Sequence, residues 1–142
     1  MQSNKYCING EGAKMSIIKL GFKDRTLLFA KLSSIAYNNT KTATSQAKRL
    51  GFTTTEFYDK DGAQAYRFMN KTDIVIACRG TQPNEFNDIR ADLRAVPVMA
   101  ETVGKVHLGF KQEVDDLWPM VCEDINRKVN LKKHLWFCGH SL

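Results

Sequence analysis

The sequence predicts an α/β domain with a mostly parallel central sheet, flanking helices and an N-terminal β-hairpin. Three observations predict it. The runs DIVIAC and HLWFC are short and almost wholly apolar, like strands buried on both faces of a parallel sheet. Between them, GFKQEVDDLWPMVCEDINRKV repeats apolar residues every three or four positions, an amphipathic helix that completes a βαβ unit. Ahead of them, FTTTEFYDKDGAQAYRFMN is rich in Thr, Phe and Tyr around the turn Asp59-Lys60-Asp61-Gly62, which reads as a hairpin.

The elements follow in order. Residues 1–23 are polar at the start and are expected to form a flexible tail, with Met15 available as a second start. Asp24 can cap a helix through RTLLFAKLSSIAYN, where Leu27, Leu28, Lys31, Leu32, Ile35 and Ala36 mostly keep apolar groups at helical spacing. Thr44 can cap a shorter helix, SQAKRL, closed by Gly51 just past its end. The hairpin and the DIVIAC strand come next, then a loop, RGTQPNEFND, and a short helix in DIRADLRAV. In the helix over residues 109–129, Phe110, Val114, Leu117, Val121 and Ile125 form the apolar stripe. Glu113, Asp116, Glu123 and Lys128 face water, and Pro119 should bend the helix because it has no N–H to donate. A single domain over residues 24–142 is the expected organisation.

Composition narrows the functional classes. The chain has 142 residues, of which 43% are hydrophobic and 25% charged, as in an ordinary globular domain. Its net charge of +6 fits a solvated basic face or peripheral contact with a lipid surface. The densest cluster, Arg127-Lys128 and Lys132-Lys133, falls at a helix end, where cations complement the helix dipole, so no nucleic-acid partner is expected. Cys7, Cys78, Cys122 and Cys138 have neither CxxC nor metal-ligand spacing. Cys78 and Cys138 sit in apolar runs, where free cysteine acts as a small hydrophobe. No metal or organic cofactor is implied. The N-terminus has no signal-peptide core and no run reaches membrane-spanning length, so the expected location is the cytoplasm, with leaderless export as the alternative.

Chemistry concentrates at two places. The first is Gly139-His140-Ser141-Leu142, after the last apolar strand. A serine hydroxyl needs a base to become a nucleophile, and it must stand clear of the sheet, as on the G-x-S-x-G turn between a strand and a helix. Such a triplet also serves as an ordinary turn. The second is Arg79-Gly80-Thr81, after DIVIAC. Ester hydrolysis builds negative charge on the carbonyl oxygen, and donors must meet it. The N–H of Leu142 and the N–H and hydroxyl of Thr81 are suited to that task.

Taken together, the motifs resemble the class 3 lipase family, serine esterases of the α/β-hydrolase fold. That pattern runs from an apolar strand to R-G-T or R-G-S, then D-W-x-x-D-L, V-H-x-G-F, and an apolar strand into G-H-S-L-G-G. Here it is matched by residues 74–78, Arg79-Gly80-Thr81, Asp88-Ile89-Arg90-Ala91-Asp92-Leu93, Val106-His107-Leu108-Gly109-Phe110 and Gly139-His140-Ser141-Leu142. The resemblance spans residues 24–142 and implies the N-terminal part of an α/β-hydrolase domain. It implies Ser141 as nucleophile, and Thr81 and Leu142 as oxyanion donors. Asp92 would support the oxyanion loop, or be a surface carboxylate, and His107 would be structural. Residues 82–91 would hold the lid, with Phe86 and Ile89 on its apolar face or in ordinary packing. Ile89 departs from the family's tryptophan, which leaves the packing of that loop open.

The family places the triad's Asp and His after the serine. All three histidines of this chain precede Ser141. His140 is its neighbour and should point away, while His107 and His134 serve only if the fold departs from the family. The resemblance therefore implies a domain truncated after its nucleophile, by a shortened gene, an incomplete reading frame or a deliberate fragment. Its last strand should be an open edge with an uncovered apolar face. The expected function is hydrolysis of acylglycerol-type carboxylic esters through an acyl-enzyme. The alternative is a non-catalytic lipase-like fragment or interaction module.

Overall fold

The computed structural model describes residues 16–80, 97–100 and 104–140. A 3-10 turn at Ile17–Lys19 leads into α1 (Phe22–Ile35), α2 (Thr40–Arg49), β1 (Thr54–Lys60), β2 (Ala63–Met69) and β3 (Asp73–Arg79). Then come β4 (Pro97–Met99), β5 (Lys105–His107), α3 (Leu108–Ile125) and β6 (His134–His140). The main sheet has four strands in the order β1-β2-β3-β6, and β4 and β5 form a separate antiparallel ribbon.

β3 and β6 pair in parallel, in register from Asp73 beside His134 to Arg79 beside His140. This is the βαβ pairing that the two apolar runs predict, with α3 in the crossover. The sheet as a whole is not mostly parallel over the described residues, because β1–β2 and β2–β3 are both antiparallel. Loop length is the reason: a parallel return needs a crossover of a dozen or more residues, and these turns are short. Between β1 and β2 only Asp61 and Gly62 intervene, at φ 51° and 91°, the pair of positive values that a two-residue type I′ hairpin requires. Between β2 and β3, the Asn70 side chain accepts hydrogen bonds from the N–H groups of Thr72 (2.9 Å) and Asp73 (2.8 Å) and turns the chain back.

Helices cover both faces of the sheet. On one side α1 and α2 pack Leu28, Leu32, Ile35, Ala43 and Ala47 against Phe68, Val75 and Ala77. On the other, Leu117 and Val121 of α3 pack against Ala65, Ile74 and Ile76. Consecutive residues of β3 thus point into opposite layers, which explains why its run is apolar throughout. Cys78 is the exception: it is exposed, not a buried small hydrophobe.

The helix boundaries differ from those the sequence predicts. α1 begins at Phe22, and its N-cap, Gly21, makes no side-chain cap, so Asp24 lies inside the first turn. There its charge still favours the helix dipole. α2 is longer than SQAKRL and is capped by Asn39, whose side chain accepts from the N–H of Thr42 (3.0 Å), not by Thr44. Only alanines, Ala43 and Ala47, carry its buried face. Gly51 does end it, at φ 92°, with Gly51 N–H donating to the Lys48 carbonyl and Phe52 N–H to the Ala47 carbonyl. That is the Schellman arrangement, which favours glycine at this position. α3 stops at Ile125 and runs through Pro119. Of its expected stripe, Leu117 and Val121 are buried and Ile125 packs beside them, but Val114 is 56% exposed and the side chain of Phe110 is outside the described residues.

Residues 16–23 are not part of a flexible tail, contrary to the expectation for residues 1–23. Ile17 is 2% exposed, in the core. It is held by Asp73, whose fully buried carboxylate accepts from Ile17 N–H (3.2 Å), Ser16 Oγ (3.3 Å), Thr72 Oγ1 (2.6 Å) and Trp136 Nε1 (2.9 Å). Burial alone would raise the Asp73 pKa. The donors from Thr72, Trp136, Ile17 and Ser16 outweigh it and hold the carboxyl below its ordinary value. A group with a lowered folded pKa contributes its stability above the unfolded value, near pH 4, and loses it as pH falls through the folded value. Asp73→Ala is therefore expected to destabilise the fold by about 2–3 kcal/mol at neutral pH, since it strands buried donors. Asp73→Asn should flatten the acid limb of the stability curve. Urea unfolding at a series of pH values checks both, and an acid limb that Asp73→Asn leaves unchanged would assign it to other carboxylates.

Candidate active site

Because β3 and β6 are parallel, their carboxyl ends lie together, at Arg79 and His140. Their amino ends, Asp73 and His134, lie at the far side of the sheet. Ligands of open α/β sheets bind outside the carboxyl ends of parallel strands. The chain exits there through Gly80 on one strand and His140 on the other, each the residue before a predicted site residue.

A side chain from α1's C-terminal turn joins these two exits. The Tyr37 hydroxyl accepts a hydrogen bond from Gly80 N–H (3.2 Å) and donates one to the His140 carbonyl. The ring is framed on two sides. The Arg79 guanidinium carbon lies 5.9 Å from its centroid, and the His140 ring meets it edge-on at 6.1 Å. Tyr37 stands one residue past the Ala36 C-cap, so the end of α1 determines where the hydroxyl reaches. Gly139, on β6, lies close to β3: a Cβ there would meet the Cys78 carbonyl oxygen at 3.3 Å.

A groove of about 800 Å³ runs beside this end of β6. Phe29, Ser33 and Tyr37 line it from α1, and Phe137, Cys138 and His140 from β6. Burial pushes the Cys138 thiol pKa up, against a smaller opposing effect of a hydrogen bond with Ser33, so it is not an activated thiolate. Among the described residues β6 pairs only with β3, and Leu135 and Phe137 are 39% and 53% exposed. Over the described residues β6 is thus an open edge with an exposed apolar face, and not the strand buried on both faces that its apolar run predicts, because nothing described pairs on its far side.

Of the residues predicted from sequence, Thr81, Asp92, Ser141 and Leu142 lie outside the described residues, as do residues 82–91 with Phe86 and Ile89. His107 is in β5, its side chain likewise outside them. His134 starts β6, six positions from His140, which in an extended strand is about 20 Å. Its Nδ1 sits 3.8 Å from Asp73, so it belongs to the opposite end of the sheet from the candidate site. Tyr37 is the participant that motif reasoning does not single out. Its only signal is the Ala-Tyr pair at the end of the first helix. Among the described residues no group of three or more His, Cys, Asp or Glu side chains could hold a metal ion, and no helix is long and apolar enough to cross a membrane.

The parallel β3–β6 pair with helices on both faces has a counterpart among solved structures. It is a triacylglycerol lipase in which a serine protease triad forms the catalytic centre, matched with a TM-score of 0.59 and 19% identity. The fold is lipase-like. The match covers 84% of this chain and 49% of that one, so the chain spans about half the length of the lipase. No family model matches the sequence, and no curated relative does. At this identity the lipase-like fold is what the two chains share.

Proposed function

We propose that this chain is the first half of a serine ester hydrolase acting on acylglycerol-type carboxylic esters, with Ser141 as nucleophile. The observation that carries the reading is the parallel pairing of β3 with β6, which brings Gly80 and His140 to one end of the sheet. Thr81 and Ser141 follow those residues directly. A lipase-like fold adds weight, as does the apolar groove beside the end of β6.

In this mechanism a histidine takes the Ser141 proton as Oγ attacks the ester carbonyl. The negative charge on the carbonyl oxygen is met by donors of Thr81 and Leu142. Collapse of the intermediate expels the alcohol with that proton, and water then hydrolyses the acyl-enzyme. Asp92 supports the Thr81 loop. The histidine base and its aspartate belong to the half of the fold that this chain does not span. His134, beside Asp73 at the other end of β6, stands away from the proposed site. The protein needs no cofactor for this chemistry, and its contact with lipid surfaces is peripheral.

A fluorophosphonate probe tests the proposal in the full-length enzyme. Labelling should map to the peptide containing Ser141 and disappear in Ser141→Ala. An unlabelled protein would favour the non-catalytic lipase-like module instead.

A further inference from the structure

Where the β3–β6 ladder ends, a side chain from outside the sheet joins its two strands. Gly80 N–H reaches the His140 carbonyl through the Tyr37 hydroxyl, which accepts from the first (3.2 Å) and donates to the second. A hydroxyl has one proton to donate and lone pairs to accept with, so it can occupy both roles at once. The hydroxyl thus ties the ends of the two strands through the turn that closes α1.

The carbonyl that Tyr37 holds belongs to the peptide unit joining His140 to Ser141. The N–H it holds belongs to the peptide unit one residue before Thr81. One side chain therefore orients the backbone leading into both loops. The ring is itself clamped between Arg79 and His140, the last paired residues of the two strands.

We infer that Tyr37 is a positioning residue that spaces the nucleophile turn from the oxyanion loop. This rests on the reading of Ser141 as the nucleophile and Thr81 as an oxyanion residue. Its action is on geometry: an ester carbonyl must stand between attacking oxygen and oxyanion donors, and Tyr37 orients the peptide units that precede both. Displacement of such groups by about 1 Å can lower turnover about 100-fold without touching the chemistry of either group.

The test is Tyr37→Phe in the full-length enzyme, which keeps the ring and removes only the hydroxyl. With p-nitrophenyl butyrate, kcat is expected to fall by about 10- to 100-fold while KM changes by less than about threefold. The rate of fluorophosphonate labelling at Ser141 should fall with kcat. A purely structural role predicts something else: turnover per folded molecule preserved and only the melting temperature lowered. Unchanged kcat in Tyr37→Phe, with Ser141→Ala inactive, would overturn the spacer role and leave the nucleophile standing. Full activity in Ser141→Ala would overturn the nucleophile and the spacer role with it.

Discussion

Ser141→Ala in the full-length enzyme is expected to lower ester turnover by about 10⁴- to 10⁶-fold. In the proposed mechanism the side chain it removes forms the covalent intermediate. Cys138 lies on the adjoining strand, but burial keeps its thiol protonated. The 142-residue chain by itself is expected to hydrolyse esters no faster than its own Ser141→Ala variant. Without a base the serine hydroxyl is hardly ionised near neutral pH. His134 sits with Asp73 at the other end of β6, and the His140 ring packs edge-on against Tyr37. Steady-state p-nitrophenyl ester assays on chain, variant and full-length enzyme check both statements. Turnover by the 142-residue chain that equals the full-length rate and vanishes in Ser141→Ala would require a base within this chain, with His107 the first to replace.

Removing either partner of the Arg67–Asp124 pair is expected to destabilise the fold by about 3–5 kcal/mol. Arg67 on β2 and Asp124 on α3 are each 5% exposed and form an ion pair across the second core layer. The Tyr58 hydroxyl of β1 donates to the same Asp124 oxygen, and Asn130 Nδ2 donates to the Asp124 carbonyl (2.7 Å). Burial, and then the Asp124 carboxylate, push the Tyr58 pKa well above the tyrosine range, so the hydroxyl remains a donor. Asp124→Ala would leave a guanidinium with no counter-charge in a nearly dry site, and Arg67→Ala would leave the buried carboxylate with only the exposed Arg127 guanidinium, 3.5 Å away, as counter-charge. Taking both out together, as Arg67→Met with Asp124→Leu, should cost much less than either single alanine change, because no lone charge remains. Urea unfolding of the four proteins measures this. Single-variant losses under about 1 kcal/mol would show that water reaches the pair.

Much of the framework is legible along the chain because its causes are local. A run apolar at every position, as in β3, can only be satisfied by layers on both faces, and it has them. Asp61-Gly62 can adopt the two positive φ values of a tight hairpin, and Gly51 the one that ends α2, because of what those residues are. Parallel pairing of β3 with β6 follows from two apolar runs separated by an amphipathic helix. The same reasoning overestimates how parallel the sheet is, since it weighs the apolar runs and not the short turns that force β1, β2 and β3 into a meander.

Other features depend on what stands opposite, which no period records. Asp124 is polar on a helix whose polar residues ordinarily face water, and only the arrival of Arg67 and Tyr58 from the hairpin makes its burial tolerable. Val114 has the right spacing for the core but is exposed. Asn39 caps α2 while Thr44, equally suited by type, lies within the helix. The sequence by itself determined the two apolar strands, the hairpin turn and the motifs around Thr81 and Ser141, because each is a matter of composition and short spacing. Only the tertiary structure decided that the exits toward those motifs are joined by Tyr37. Its partners lie 43 and 103 positions away and are backbone groups, and every residue but proline carries the same N–H and C=O. Their identity as partners exists only once the sheet has brought them to one end.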